Sequence, residues 1–213
     1  MRILPVLLFV FLAGCSNIPA DYLPQEGDIV FQSLPQTPLV RAIEGVTLSR
    51  YSHCGIVARD GRSWVVIEAI GPVKETPLSD WIGRGRAKMV DVYRMEAELA
   101  PKIPEIIRRA RAYAGRPYDI RYRFDDERIY CSELIYKAVK QATGIEMGKV
   151  ERLGDLNWQE HEAYIRSIEG YVPLDREMIT PKALSQAKQL THVYPKNSTP
   201  AAKDPSRGAL LDP

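Results

Sequence analysis

The chain has 213 residues, with 29 Lys and Arg against 27 Asp and Glu and 45% apolar content, which suits one compact domain with short appendages. A formal charge of +2, with acids and bases interspersed, offers no clustered basic face and excludes a nucleic-acid binder. Three cysteines are too few for a disulfide scaffold. No pair has the close Cys/His spacing of a structural zinc site, so neither a metal nor another cofactor is expected.

Arg2 supplies a positive start, residues 3–14 form an apolar run, and Leu12-Ala13-Gly14-Cys15 follows before the sequence turns polar. Residues 1–14 therefore read as a signal peptide, because a bilayer span needs roughly 20 apolar residues. Small residues before a cysteine resemble the lipobox of bacterial lipoproteins. That resemblance implies cleavage before Cys15 and lipid attachment to it, with residues 15–26 as a tether carrying Pro19 and Pro24. Ser16 after the cysteine resembles lipoproteins sent to the outer membrane of Gram-negative bacteria, which implies a lipid-anchored envelope protein facing the periplasm. Losing residues 1–14 removes only Arg2 and leaves 28 basic against 27 acidic side chains. The membrane would then be held through acyl chains and not through a polybasic patch.

Gly27-Asp28-Ile29-Val30-Phe31 reads as a turn entering a strand, and a short helix is expected over residues 39–45, after Pro35 and Pro38. Runs rich in Val and Ile at residues 53–58 and 63–70 flank Arg59-Asp60-Gly61-Arg62. Asp-Gly between apolar runs is a strong hairpin signal, since the favoured turn places both central residues at positive φ. A third strand is expected over residues 87–93. Residues 104–114 have helical spacing through Ile106, Ile107, Ala110 and Tyr113 and stop at Gly115. Residues 131–142 repeat it with Leu134, Ile135, Ala138 and Val139 before Gly144. Residues 195–213 are poor in apolar side chains and read as a disordered tail. The sum is an α+β domain over residues 27–194, a small antiparallel sheet or barrel packed against helices.

With Asp60-Gly61 as a two-residue turn, Arg59 faces Arg62, Val57 faces Trp64, Gly55 faces Val66 and His53 faces Glu68. Directly opposed side chains share a face with Cβ atoms about 4.5 to 5.5 Å apart, within reach of a carboxylate–imidazole hydrogen bond. The pair reads either as an edge ion pair or as a base with its orienting partner. Cys54 projects to the opposite face from His53 and reads as a small buried hydrophobe. Cys131 opens a helix, where unpaired N–H groups and the helix dipole favour thiolate and where the same amides suit an oxyanion. Glu133, two residues on, would oppose thiolate if it lay near the sulfur. Taken alone, a cysteine in that position is more often structural.

Gly115-Arg116-Pro117-Tyr118, followed by Tyr130-Cys131-Ser132-Glu133-Leu134-Ile135-Tyr136, resembles the nucleophile block of the NlpC-type papain-like amidases. Gly27-Asp28-Ile29-Val30-Phe31 and Ser52-His53-Cys54-Gly55-Ile56-Val57 resemble that superfamily's strand and histidine blocks. Val66-Ile67-Glu68-Ala69 resembles the segment bearing its third polar residue. Because the histidine block precedes the cysteine block, the order resembles the circularly permuted branch. That branch includes the YiiX/YaeF-type lipoproteins and the lecithin:retinol acyltransferase-like proteins. The resemblance implies a permuted papain-like fold with Cys131 as nucleophile, His53 as base and Glu68 as its orienting residue, and with Tyr118 lining the substrate site. Tyr130 stands where the family has Asp, and Glu133 where it has Gly. Both departures would touch the edge of the pocket and put a peptidoglycan substrate in question.

A rival base is His192, in a segment that lacks a hairpin and a carboxylate partner. His161 reads as part of a solvated helical face, and Trp64, Trp81 and Trp158 as packing. The expected activity is hydrolysis of an amide, on cell-wall peptide by analogy. A lipid thioesterase or acyltransferase, or an inactive envelope binding module, are the alternatives, so the partner is a peptide or a lipid-like acyl group.

Overall fold

The computed structural model describes residues 17–195. The expected signal peptide, Cys15 and the tail from residue 196 onward lie outside the described residues. Among the described residues no helix is long and apolar enough to cross a membrane.

In chain order the elements are β1 (Ile29–Gln32), α1 (Pro38–Thr47), β2 (His53–Asp60), β3 (Ser63–Ala69), β4 (Val73–Pro77), α2 (Leu78–Arg84), β5 (Asp91–Met95) and α3 (Ile103–Arg111). They continue with α4 (Cys131–Thr143), β6 (Glu151–Arg152), α5 (Glu162–Glu169), β7 (Glu177–Met178), α6 (Pro181–Ser185) and β8 (Leu190–Tyr194). Six strands form one sheet in the order β4-β3-β2-β1-β5-β8, and β6 pairs with β7 in a small second sheet. The architecture is α+β, as expected, but the expected barrel is not formed: the large sheet stays open, with β4 and β8 at its edges. Its two faces are instead closed by helices, which removes the need to curl the sheet on itself.

Alternation along the strands sends Ile29, Phe31, Cys54, Ile56 and Ile67 into a core shared with α3 and α4. Val30, Val57 and Val66 enter a second core with Leu78, Trp81 and Ile82 of α2. Covered on both sides, β2 is buried from His53 to Ala58. β5 begins at Asp91, later than expected, because Ala87 and Lys88 both take φ 54 in a tight helical turn that no strand accommodates. α4 spans its expected range and ends at Gly144, whose φ of 76 lets its N–H reach the Lys140 carbonyl.

The hairpin register differs from expectation. Val57 pairs with Val66, Arg59 with Trp64 and Asp60 with Ser63, so the two-residue turn is Gly61-Arg62. Only Gly61 of these has positive φ, at 55. That fits a turn with glycine at its first central position, and Asp60 remains in the strand. The slip is an even number of residues, so every side chain keeps its face. Glu68 still shares a face with His53, now as its diagonal neighbour, with Gly55 opposite it. An added Cβ at Gly55 would lie 2.3 Å from Val66 Cγ1 and 3.5 Å from Glu68 Cβ, so the missing side chain is what opens the path for the carboxylate. Gly55→Ala is expected to destabilise the fold by about 1–3 kcal/mol through overpacking, read as a lower midpoint in urea unfolding.

Candidate active site

His53 is the first residue of β2 and Cys131 the first of α4, which packs on β2. His53 Nε2 hydrogen-bonds Glu68 Oε2 at 2.5 Å, which leaves Nδ1 to meet the sulfur. The Cys131 sulfur lies close enough to the His53 ring for each group to shift the other's titration. Two segments 78 positions apart in the chain thus meet at the start of one strand.

Cys54 is a buried hydrophobe, 0% exposed and in the helix-side core, yet it is also a neighbour of Cys131, a contact that strand alternation does not indicate. Its thiol and its backbone N–H both act to lower the Cys131 thiol pKa, which places them beside the sulfur. The sulfur sits at the strand's beginning, where residues of both faces are within reach.

These contacts set the charges. The Cys54 hydrogen bond leads in holding the Cys131 thiol well below the usual range; burial opposes it, and the His53 hydrogen bond and charge add to the lowering. Burial pulls the His53 pKa down, but the bonds and charges of Cys131 and Glu68 outweigh it and lift the imidazole to about 9. Burial pushes Glu68 up, and His53, Arg84 and Thr76 together bring it down to about 2. These directions favour a thiolate beside an imidazolium over a buried carboxylate.

The sequence reading missed the groups that hold Glu68. Thr76 Oγ1 donates to Oε1 at 2.6 Å and Arg84 donates to Oε2 at 2.5 Å. Trp81, fully buried, stacks its ring against His53 at 5.9 Å. Thr76 lies opposite Val66 on β4, so it shares Glu68's face. Arg84 and Trp81 arrive on α2, for which no sequence motif marks a role.

Tyr118 is half-buried, its hydroxyl 3.1 Å from that of Tyr122. Burial first, then the nearby Cys131 charge, raises its pKa well above the ordinary range, which puts it close to the sulfur. The two departures from the family pattern are interior and not at a pocket edge. The Tyr130 hydroxyl accepts from Ile179 N–H at 3.1 Å, and the Glu133 carboxylate accepts from the Tyr130 N–H at 3.3 Å while pairing with Lys137 at 2.8 Å. Glu133 is thereby directed at its own helix start, and burial lifts it to about 7 against the lowering pull of Lys137.

The rival His192 does have a carboxylate partner, Asp91, at 3.2 Å. It lies on β8, three strand positions from β2 and so about 14 Å away across the sheet. His161 is not on a solvated face: it is partly buried, with Nε2 only 1.9 Å from where a Cβ on Gly45 of α1 would stand. Among the described residues no group of three or more His, Cys, Asp or Glu is arranged to hold a metal ion.

The model of the permuted papain-like amidases, YaeF/YiiX, C92 family, matches residues 23–194. The protein YiiX of Escherichia coli K12 is 34% identical over 182 residues, covering 83% of this chain and 90% of its own. A crystal structure described as metalloprotein yiiX from Escherichia coli O157:H7 superposes with a TM-score of 0.77 at 34% identity, over 81% of this chain and 97% of that one. Among the described residues the donors present do not fit a metal.

Linkage sets the pH response of stability. Glu68, lowered from 4.5 to about 2, contributes stability that is present above pH 4.5 and lost as pH falls through 2. His53, raised from 6.5 to about 9, contributes stability that is complete below pH 6.5 and lost as pH rises through 9. The urea midpoint is expected to fall as pH drops from 4.5 toward 2, whereas the alkaline loss from His53 is opposed by the lowered Cys131 thiol, whose contribution grows as pH rises toward 9. Glu68→Gln should flatten the acid limb.

Proposed function

The chain belongs to the permuted papain-like amidase family of the YaeF/YiiX type, and from that premise we propose that it is a cysteine hydrolase cleaving an amide bond through an acyl-enzyme. The observation that carries the reading is Cys131 beside a histidine whose Nε2 is held by a buried carboxylate. Cys131 thiolate attacks the carbonyl carbon, and N–H groups at the start of α4 receive the oxyanion. His53, already protonated, passes its proton to the leaving amine. As a neutral base it then takes one from the water that releases the acid. Glu68 orients the ring and stabilises its charged form without itself taking the proton.

A second reading, transfer or hydrolysis of a lipid acyl group, is favoured by one feature. An apolar cavity of about 100 Å³ lies between α1, α5 and the loop before α4, lined by Leu39, Ile43, Val46, Ile120, Tyr122 and Ile165. Tyr122 connects it to the nucleophile: its ring stacks on Tyr130 at 4.4 Å and its hydroxyl meets Tyr118. An apolar chain end suits such walls better than a charged cell-wall peptide does.

We further propose that Cys15 is acylated after removal of residues 1–14 and anchors the protein at the outer membrane facing the periplasm, on the strength of Leu12-Ala13-Gly14-Cys15 and Ser16. Incorporation of labelled palmitate into the protein should be abolished in Cys15→Ser and unchanged in Cys131→Ala.

A thiol-directed acyl probe is expected to label the folded protein, with labelling lost in Cys131→Ala and in His53→Ala. Cys54→Ala should still label, but with its pH profile moved to higher pH, because the thiolate loses a donor. Absence of labelling in folded wild type would favour a binding module. Mass analysis of products from purified cell wall and from phospholipid separates the amidase from the lipid acyltransferase.

A further inference from the structure

We propose that Arg84 is a positioning residue for the Cys131–His53 pair, acting through Glu68 by sharing one carboxylate oxygen with the imidazole and so dividing its charge between two cations. The catalytic consequence rests on the cysteine-hydrolase reading above; the electrostatic claim stands apart from it.

Three bonds define the arrangement. Thr76 occupies Oε1 of Glu68 at 2.6 Å, while His53 Nε2 and Arg84 both take Oε2 at 2.5 Å. One oxygen is therefore committed to a neutral donor, and the two cations compete for the other. Glu68 is 0% exposed, so neither bond is diluted by water at the carboxylate, whereas the Arg84 side chain is 28% exposed and reaches solvent. This is not an incidental surface ion pair.

Arg84 is also held in place. It follows Trp81 by three residues on α2, hence on the same side of the helix. Trp81 is fully buried, with its ring against His53. The helix ends at Gly85, whose N–H donates to the Ile82 carbonyl at 3.0 Å and where an added Cβ would stand 2.3 Å from Gln32 Oε1; Gln32 pairs with His53 across β1 and β2. Arg84 Nε is buried without a hydrogen-bond partner. Desolvating that donor has a cost, which the bond to Glu68 offsets.

The effect on the histidine follows from charge. An unshared, buried carboxylate would stabilise the imidazolium so strongly that it would be a poor proton donor to a leaving group. A guanidinium on the same oxygen withdraws part of that stabilisation and repels the imidazolium. Besides Glu68, the charged group acting on His53 is Cys131 of α4; Thr76 of β4 reaches the carboxylate, β1 places the neutral Gln32 opposite His53, and Tyr118 and Tyr122 of the loop before α4 and Cys54 of β2 lie near the sulfur.

The chain has only three histidines, so ring NMR resolves His53 directly. Arg84→Met is expected to raise the His53 titration midpoint by roughly one pH unit, and Arg84→Lys to restore most of the shift. An unchanged or lowered midpoint in folded Arg84→Met would overturn the proposal, since a merely structural arginine would leave the value alone or loosen the carboxylate. Should Arg84→Met fail to fold, Arg84→Gln, which retains a donor without charge, carries the same expectation. Iodoacetamide alkylation of Cys131 in the same samples keeps the two readings apart. A wild-type thiol reacting no faster than a free one would count against the hydrolase, while the direction of the His53 shift would still decide the role of Arg84.

Discussion

The interaction on which the structure turns is the buried Glu68 carboxylate, ionised in the interior and surrounded by donors. A lone charge in that position would be too costly to keep. His53, Thr76 and Arg84 each donate to it, so breaking any one leaves a partly uncompensated charge inside the protein. The contacts also tie four elements together: β2, β3, β4 and α2 all end on this one group. The histidine is consequently aimed along a fixed direction, with one nitrogen committed and the other free for sulfur.

The sulfur is prepared from the other side of the sheet. α4 packs on β2 and β3 with Leu134, Ile135, Ala138 and Val139 fully buried, which fixes where its first residue lies. Ser132 adds a hydrogen bond to the Ile179 carbonyl at 2.7 Å, and Ile179 N–H donates to Tyr130, so the start of the helix is held by the segment following β7. The two cores on opposite faces of one open sheet thus bring an imidazole and a thiol to a common strand end. In this permuted chain the order of the blocks is immaterial to that meeting, since a catalytic arrangement is defined by geometry and roles.

Much of the fold was legible because the signals are local. The run of Val and Ile on both sides of Asp60-Gly61 announces a hairpin whatever else the chain does, and Cys131 before an amphipathic stretch ending at Gly144 announces a helix. The register was not legible to the residue. Asp-Gly and Gly-Arg are both acceptable two-residue turns, and the choice rests on side chains packing across β1, β2 and β3. The face of Glu68 survived that ambiguity because both registers have the same parity.

Periodicity and turn chemistry, properties of neighbouring residues, indicated an α+β chain, and the family resemblance carried by the motif order singled out His53, Glu68 and Cys131 as expected site residues. They were silent on Arg84 and Thr76, on the stacking of Trp81 against His53 and on the closeness of Cys54 to Cys131, and they did not decide between an open sheet and a barrel. Those depend on how separate elements dock, and docking is settled by the packing of whole faces. No stretch of a dozen residues encodes that information locally.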